Sequence, residues 1–264
     1  MNAPGPLAPP DELIGEALDR LAEVSHERDL LYLSPDGKTQ VGVEYRDRKP
    51  HRIHSIAVMA SQREADQPDL GHLRRDLIEA VIEPVFAQES VRPDRDTRIF
   101  VNPNGTLVGG GPAAHSGLTG RKAAVDTYGG YSRNSGDALS GKDPLRIDRV
   151  GAYAARHAAK NIVAAGLADE CEVHLSYAIG LSGPVSVQVE TFGTGRVDDA
   201  TLAHRVKQRF DLRLGAIVRR FEARRLPADR GGTFYRQLAA YGQMGRPDLD
   251  LPWESTVGAS ELRG

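Results

Sequence analysis

Cysteine is nearly absent from this chain of 264 residues, which contains a single one, Cys171. One cysteine excludes an internal disulfide and any zinc site that is built from several cysteines. Cys171 stands between Glu170 and Glu172. This setting favours a buried strand residue over the alternative, a reactive nucleophile.

Long apolar runs and an excess of one charge are missing as well. The apolar runs are far shorter than the ~18 residues that a membrane span needs, and the Pro-rich segment 1–10 has no signal-peptide pattern. Thirty-four Lys plus Arg against 36 Asp plus Glu give a net charge of −2, so the surface as a whole is not built to bind nucleic acid or acidic membranes. We expect a cytoplasmic protein with no nucleic-acid and no membrane partner, in which any basic site is local.

The periodicity of apolar residues predicts the elements of the first half of the chain. In order, it predicts a helix, two strands, a helix and a short strand, over residues 11–24, 40–45, 53–59, 72–86 and 98–101. Asp36-Gly37 is a turn signal, and a basic turn over 46–52 is expected to join the two strands into a hairpin. Pro84 is expected to break or end the second helix.

The second half has a similar order of elements. Asp143 and Pro144 predict the cap and first turn of a helix that ends at Gly166. The patterns that follow predict two strands and two helical regions, over residues 172–179, 185–189, 202–210 and 217–221. The tail from Gly245 is expected to be loop-like apart from Trp253.

The two halves together predict an α+β fold of two similar domains, residues 1–109 and 110–264. Alternating strands joined as hairpins are typical of sheets that keep one face polar or half-buried. Each domain is therefore expected to be an antiparallel or mixed sheet with helices on one face.

Glycine is concentrated between the two halves, since ten glycines fall between Gly105 and Gly141. Glycines let backbone N–H groups approach an anion closely, and this region and the residues after it also carry cations. Those cations are Arg121, Lys122, Lys142, Arg146 and Arg149. The composition indicates a polyphosphate site, and the alternative is a surface loop with solvated charges. The stretch GDALSGKD is no P-loop, because Asp143 replaces the hydroxyl residue that binds Mg²⁺.

Several motifs resemble the S-adenosylmethionine synthetase family. They are GLTGRK at 117–122, VDTYGGY at 125–131, SGKDP at 140–144 and the long run DRVGAYAARHAAKNIVAAGLADECEVHLSYAIG at 148–180. The resemblance continues upstream through SPDGKTQV and VNPNGTLVGGGP, and downstream through VETFGTG and AAYGQMGR to PWE. It covers nearly the whole chain.

The resemblance implies an activity and a set of site residues. In this family the methionine sulfur attacks the ribose 5′ carbon of ATP, triphosphate leaves, and the same site hydrolyses it, with Mg²⁺ and K⁺. It places the ATP and phosphate contacts at Asp36, Lys38, Arg121, Lys122, Ala138 and Lys142, of which Lys38, Arg121 and Lys142 are the catalytic assignments. It places the methionine side at His115 and Arg146, the adenine side at Leu107 and the metal at Asp148. For Asp36 the alternative is that it simply shapes a turn.

The sequence also departs from the family pattern. It has no G-H-P-D-K motif, the signature of the family's first domain, and it begins where the family's middle domain would begin. His115 stands in place of an aspartate that contacts both substrates, Leu107 in place of an aromatic that stacks on adenine, and Asp137 in place of a glycine. Imidazole removes a negative charge and leucine has no π-face, so both changes are expected to affect substrate binding.

Three hypotheses accommodate these departures. The first is a synthetase-type subunit that provides the ATP-phosphate half of a site, either as a homo-oligomer of altered activity or as a hetero-oligomer with a chain that supplies the missing domain. The second is a non-catalytic homologue that binds a nucleotide or a full-length synthetase and regulates it. The third is a fragment or a mis-started reading frame.

Overall fold

The computed structural model describes residues 20–21, 23–24, 30–87, 89–111, 114, 128, 132–133, 138–239, 242–246 and 248–263. These residues fall into two compact units: the first contains those up to Ala114 with Tyr128, Ser132 and Arg133, and the second contains those from Ala138 onward. The predicted domain boundary at 109/110 stays a prediction.

The first unit is built on a three-stranded mixed sheet in the order β1-β2-β3. Strands β1 (Leu33–Arg46) and β2 (Lys49–Gln62) pair antiparallel, and β3 (Arg98–Val101) lies parallel to β2. The three predicted strands are confirmed, and the hairpin strands are longer than predicted.

The predicted turn between these strands is confirmed but is shorter than 46–52, whereas the predicted turn at Asp36-Gly37 is wrong. The connection is only Asp47-Arg48, whose positive φ values of 49° and 62° let the chain reverse in two residues and match the twist of the flanking strands. Asp36 and Gly37 lie inside β1, next to a register shift between Leu33 and Gly37. The turn signal of Asp36-Gly37 therefore marks an irregular strand segment.

The second predicted helix runs through its proline. Helix α1 (Leu70–Leu77) continues as a π-helical segment (Ile78–Ile82) and then as α2 (Glu83–Phe86). Pro84 lacks an N–H for the Ala80 carbonyl, but that carbonyl accepts a bond from Arg20 Nε at 2.9 Å. The expectation that Pro84 breaks the helix is wrong, because the wider π turn accommodates the ring and Arg20 satisfies the freed oxygen. Of the first predicted helix, only Arg20, Leu21, Glu23 and Val24 are described, and they are helical.

The second unit packs helices around an antiparallel pair of strands. Its elements are α3 (Ile147–Ala164), β4 (Glu172–Ser176), β5 (Ser186–Glu190), α4 (Asp199–Arg209), α5 (Leu214–Arg220), α6 (Leu226–Asp229), α7 (Phe234–Leu238), a 3₁₀ turn (Pro252–Glu254) and α8 (Ala259–Leu262). The hairpin and the helices around 202–210 and 217–221 are confirmed.

Helix α3 ends where predicted and begins later than predicted. Gly166 follows the helix with a φ of 72°, a conformation that glycine adopts without strain. Asp143 does not cap α3: its carboxylate accepts from the Leu145 N–H at 2.8 Å in a separate turn, and Arg146 occupies the cap position. Residues 143–146 form a turn of their own, closed by the bond from the Arg146 N–H to the Asp143 carbonyl, so the first helical residue is Ile147.

An aromatic cluster forms the centre of the second unit. Trp253 is fully buried and stacks on Tyr153 of α3 at 3.7 Å between ring centroids, while Phe221 and Phe234 contact it edge-on. The adjacent Glu254 carboxylate accepts from Arg156 Nε and Nη2 at 2.9 Å each. The tail from Gly245 is therefore loop-like only in part, because its buried residues complete the core of the second unit.

The described architecture is α+β, with sheets and helices in both units, as predicted. In the described part of the chain, no helix is both long and apolar enough to cross a membrane.

Cys171 lies directly before β4 and is half-buried, and burial raises the pKa of its thiol to about 12. The thiol is therefore protonated near neutral pH, which disfavours the nucleophile alternative.

His157 makes the stability of the second unit depend on pH. Burial lowers its pKa, the positive charge of Arg220 acts in the same direction, and Glu254 opposes them. Protonation is therefore easier in the unfolded chain, so stability is complete above the unfolded pKa of about 6.5 and is lost as the pH falls below it.

We expect the His157→Gln variant to lose less stability than the wild type between about pH 8 and about pH 5, with a difference of at most about 1.4 kcal/mol per pH unit. Urea unfolding followed by the fluorescence of Trp253, the single tryptophan, measures this. The exposed His204 on α4 provides the control variant His204→Gln. Equal pH dependence of His157→Gln and wild type would contradict the assignment.

Candidate functional site

In the first unit, Asp36 holds the start of the glycine-rich segment. Its carboxylate Oδ2 accepts from the Gly111 N–H at 3.1 Å, and the Gly110 N–H donates to Ser61 Oγ at 2.9 Å. A Cβ at Gly110 would lie 2.5 Å from Ser61 Oγ and 2.8 Å from Asp36 Cβ. Only glycine therefore lets the main chain come this close to Ser61 and Asp36. Asp36 thus has a main-chain partner, and its ATP contact stays a prediction.

Leu107 lies in the same docked segment. Its carbonyl accepts from the Gln62 N–H at 2.7 Å, and the next residue, Val108, pairs with Gln62 as a parallel bridge. Upstream, the buried Asn102 uses its side-chain amide to bond both main-chain groups of Ala60, at 2.9 Å each. These bonds extend the sheet beyond β3 and leave Leu107 half-buried, so part of its side chain is accessible to a ligand.

Lys38 lies on β1 opposite Met59 and is exposed. It makes no ion pair with any residue that the structure describes. An exposed ammonium without a carboxylate partner is available to an anion, which is what the sequence predicts for it.

In the second unit, the remaining described site residues gather at the amino end of α3. Ala138 is buried, and the turn that follows brings the Lys142 N–H to the Leu139 carbonyl at 3.3 Å. Lys142 Nζ lies 3.9 Å from Asp148 Oδ2 in the first turn of α3. Arg146 is exposed at the cap position. The amino end of an 18-residue helix attracts negative charge, so this arrangement suits an anion.

Arg149 does not join this cluster. It is 3% exposed, and its guanidinium donates from Nε to Tyr153 Oη at 2.8 Å and from Nη1 to the Lys142 carbonyl at 2.7 Å. Its inclusion among the phosphate-binding cations is therefore wrong. Arg149, Tyr153 and His157 follow each other at four-residue spacing, which places Arg149 on the buried stripe of α3, and this spacing could have revealed its direction.

Sequence reasoning missed what supports residues 139–142, here called the Lys142 loop. Gln243 Nε2 donates to Ser140 Oγ at 2.7 Å, and Tyr153 Oη donates to Gln243 Oε1. The only signal was that Gln243 lies within the AAYGQMGR motif. No local pattern indicates that a residue about a hundred positions away reaches the loop.

Four residues of the sequence argument, His115, Arg121, Lys122 and Asp137, lie outside the described residues. Among the described residues, no group of three or more His, Cys, Asp or Glu side chains could hold a metal ion. Asp148 is a single carboxylate with 47% of its side chain exposed. In sites of this kind Mg²⁺ is usually bound by one or two carboxylates and by the phosphates of a substrate. One accessible carboxylate therefore suits a Mg²⁺ ion whose other ligands are mainly phosphate oxygens.

Comparison with known families gives two matches. The central domain of S-adenosylmethionine synthetase matches residues 9–107, and the C-terminal domain of the same family matches residues 109–255. Together the two matches cover almost the whole chain.

Individual relatives agree with these matches. The chain is 55% identical over 255 residues to the S-adenosylmethionine synthase of Gloeobacter violaceus, covering 92% of this chain and 61% of the relative. It is 51% identical over 268 residues to that of Synechococcus elongatus, covering 99% of this chain and 64% of the relative. The chain thus spans less than two thirds of the length of these relatives. A solved structure described as an unusual S-adenosylmethionine synthetase from Campylobacter jejuni superposes with a TM-score of 0.86 at 36% identity, covering 97% of this chain and 66% of that one.

Proposed function

The chain belongs to the S-adenosylmethionine synthetase family, through its central and C-terminal domains, and on this premise we propose that it binds the triphosphate of ATP in an adenosyl transfer to methionine. The observation that carries the proposal is the placement of Lys142 beside Asp148 at the amino end of α3. A cation, a helix amino end and a carboxylate for Mg²⁺ are the groups that a leaving triphosphate requires.

In the proposed reaction the methionine sulfur forms a bond to the ribose 5′ carbon as the bond to the triphosphate oxygen breaks. Negative charge therefore grows on the triphosphate, and Lys142, Arg121, Lys122 and Lys38 would neutralise it. Mg²⁺ would offset further charge on the phosphate oxygens, with Asp148 as its ligand from this chain. Water then cleaves the triphosphate to phosphate and pyrophosphate.

The remaining site assignments are part of the same proposal. Asp36 and Ala138 would contact ATP, Leu107 would lie against adenine, and His115 and Arg146 would face methionine. The chain would act either as a homo-oligomer of altered activity or as a hetero-oligomer with a chain that supplies the family's G-H-P-D-K motif. We assign no residue of this chain to K⁺.

A non-catalytic, nucleotide-binding regulator is the second candidate. The observation that favours it is the pair of replacements at the substrate side, His115 for an aspartate and Leu107 for an aromatic. Both replacements weaken substrate contacts while leaving the phosphate-binding lysines in place.

One experiment separates the two candidates. The purified chain is incubated with ATP, methionine, Mg²⁺ and K⁺, alone and with a polypeptide that carries the G-H-P-D-K domain, and S-adenosylmethionine and phosphate are quantified by mass spectrometry and colorimetry. Product in either mixture supports the adenosyltransferase. ATP binding without product in both mixtures supports the regulator, and the absence of ATP binding contradicts both.

A further inference from the structure

Arg149 of α3 is a buried cation. Its side chain is 3% exposed, and among the described residues no carboxylate forms an ion pair with it. Its Nη2 makes no hydrogen bond with the part of the chain that the structure describes. Burying a charge without a counter-charge costs free energy, so stability alone does not account for an arginine at this position.

The groups that Arg149 does contact indicate what it holds. Nη1 donates to the main-chain carbonyl of Lys142 at 2.7 Å, and Nε donates to Tyr153 Oη at 2.8 Å. The guanidinium carbon lies 4.8 Å from the ring centroid of Tyr235, a distance at which the ring face stabilises the cation. Burial raises the pKa of Tyr235 to about 12, so this ring remains neutral near neutral pH.

The Lys142 loop is held at a second point through the same tyrosine. Tyr153 Oη donates to Gln243 Oε1, and Gln243 Nε2 donates to Ser140 Oγ at 2.7 Å. Gln243 is itself fixed, because its carbonyl accepts from Trp253 Nε1 at 2.8 Å. Gly141, with a φ of 82°, lies between the two anchored residues.

We propose that Arg149 is a positioning residue that fixes the main chain of Lys142, and thereby the direction of its ammonium group, for the triphosphate. This inference rests on the proposed function, since it deepens the role of Lys142. A loop that contains glycine is otherwise free to move, and an anion site gains most from a cation that is already in place. Arg149 acts through the Lys142 carbonyl. The hydroxyl of Tyr153 holds Arg149 in place, and the side chain of Gln243 holds Ser140 in place.

A double-mutant cycle on triphosphate binding tests the proposal. The probe is inorganic triphosphate with Mg²⁺, titrated by calorimetry into the full chain. Arg149→Met, which keeps an unbranched apolar side chain and removes the buried guanidinium, is expected to weaken binding about 10-fold or more. In the Lys142→Ala background, which retains the carbonyl but lacks the ammonium, the same Arg149→Met change is expected to have no further effect.

Two further variants keep the outcome interpretable. Tyr153→Phe keeps the ring stacked on Trp253 and removes the hydroxyl that holds Arg149. It is expected to weaken triphosphate binding when Lys142 is present and to have no further effect in the Lys142→Ala background. Arg205→Met is the matched control, because Arg205 donates to a main-chain carbonyl of another segment, that of Leu262, at 2.7 Å. It is expected to leave triphosphate affinity unchanged.

The outcomes distinguish this inference from the proposed function. If wild type does not bind triphosphate or ATP, both are overturned. If Lys142→Ala weakens binding but Arg149→Met and Tyr153→Phe do not, only the positioning role is overturned. If the effect of Arg149→Met is equally large in the Lys142→Ala background, Arg149 supports the fold in general and the positioning role is overturned as well.

Discussion

Replacing Trp253 by alanine is expected to destabilise the second unit by about 3–5 kcal/mol. The indole is fully buried, it stacks on Tyr153 at 3.7 Å, and its Nε1–H donates to the Gln243 carbonyl at 2.8 Å. The substitution leaves a large cavity and an unpaired carbonyl in the centre of the unit. Since a domain has only about 5–15 kcal/mol of net stability, such a loss brings the unit close to unfolding.

Urea unfolding followed by far-ultraviolet circular dichroism measures the loss, because the variant no longer has its tryptophan fluorescence. Val257, which is 82% exposed in the same unit, provides the control variant Val257→Ala. This control is expected to change the free energy of unfolding by less than about 0.5 kcal/mol. A loss below about 1 kcal/mol in Trp253→Ala would show that the cluster does not centre on this residue.

The elements that the sequence predicts correctly are those whose pattern is local. The strand over 40–45 alternates in polarity, and α3 carries a full apolar stripe that stops at Gly166, so neighbouring residues alone determine these predictions. Pro84 shows the limit of this reasoning. Whether a helix passes through a proline depends on what satisfies the freed carbonyl, and here that is Arg20, sixty residues away.

Contacts between distant segments explain the other differences. The parallel pairing of β3 with β2 cannot be read from four residues of β3, and the close approach of Gly110 to Ser61 depends on a segment 49 residues away. At the site, composition predicts a cluster of cations, but the inward direction of Arg149 follows only from its four-residue spacing with Tyr153 and His157 on the buried stripe of α3. A charged residue on the buried stripe of a helix contradicts the usual polarity, and only the Tyr153 and Lys142 partners explain it.

Replacing Lys142 by alanine is expected to have the second large effect. The affinity for ATP with Mg²⁺ should weaken by at least ~1 kcal/mol, as for the loss of a charge-assisted phosphate contact. Where the chain supports adenosyl transfer, turnover should fall about 10²–10³-fold, because the ammonium meets charge that develops on the leaving triphosphate. Calorimetry measures the affinity, and mass spectrometry of S-adenosylmethionine measures the rate.

Three comparisons identify the charge of Lys142 as the cause. The exposed Lys207 on α4 gives the control Lys207→Ala, which should bind ATP as wild type does. Lys142→Arg keeps the positive charge and should retain more affinity than Lys142→Ala. Adenosine lacks phosphates, so its affinity should be the same in all variants.

The proximity of Asp148 sharpens the expectation for Lys142. With Nζ at 3.9 Å from Asp148 Oδ2, the lysine lies beside a negative charge that is 47% exposed. Without the lysine, this carboxylate repels phosphate unless Mg²⁺ lies between them. The loss of affinity in Lys142→Ala should therefore be larger when Mg²⁺ is removed than when it is present. An equal loss under both conditions would mean that Asp148 does not face the phosphates, and unchanged ATP affinity would remove Lys142 from the site.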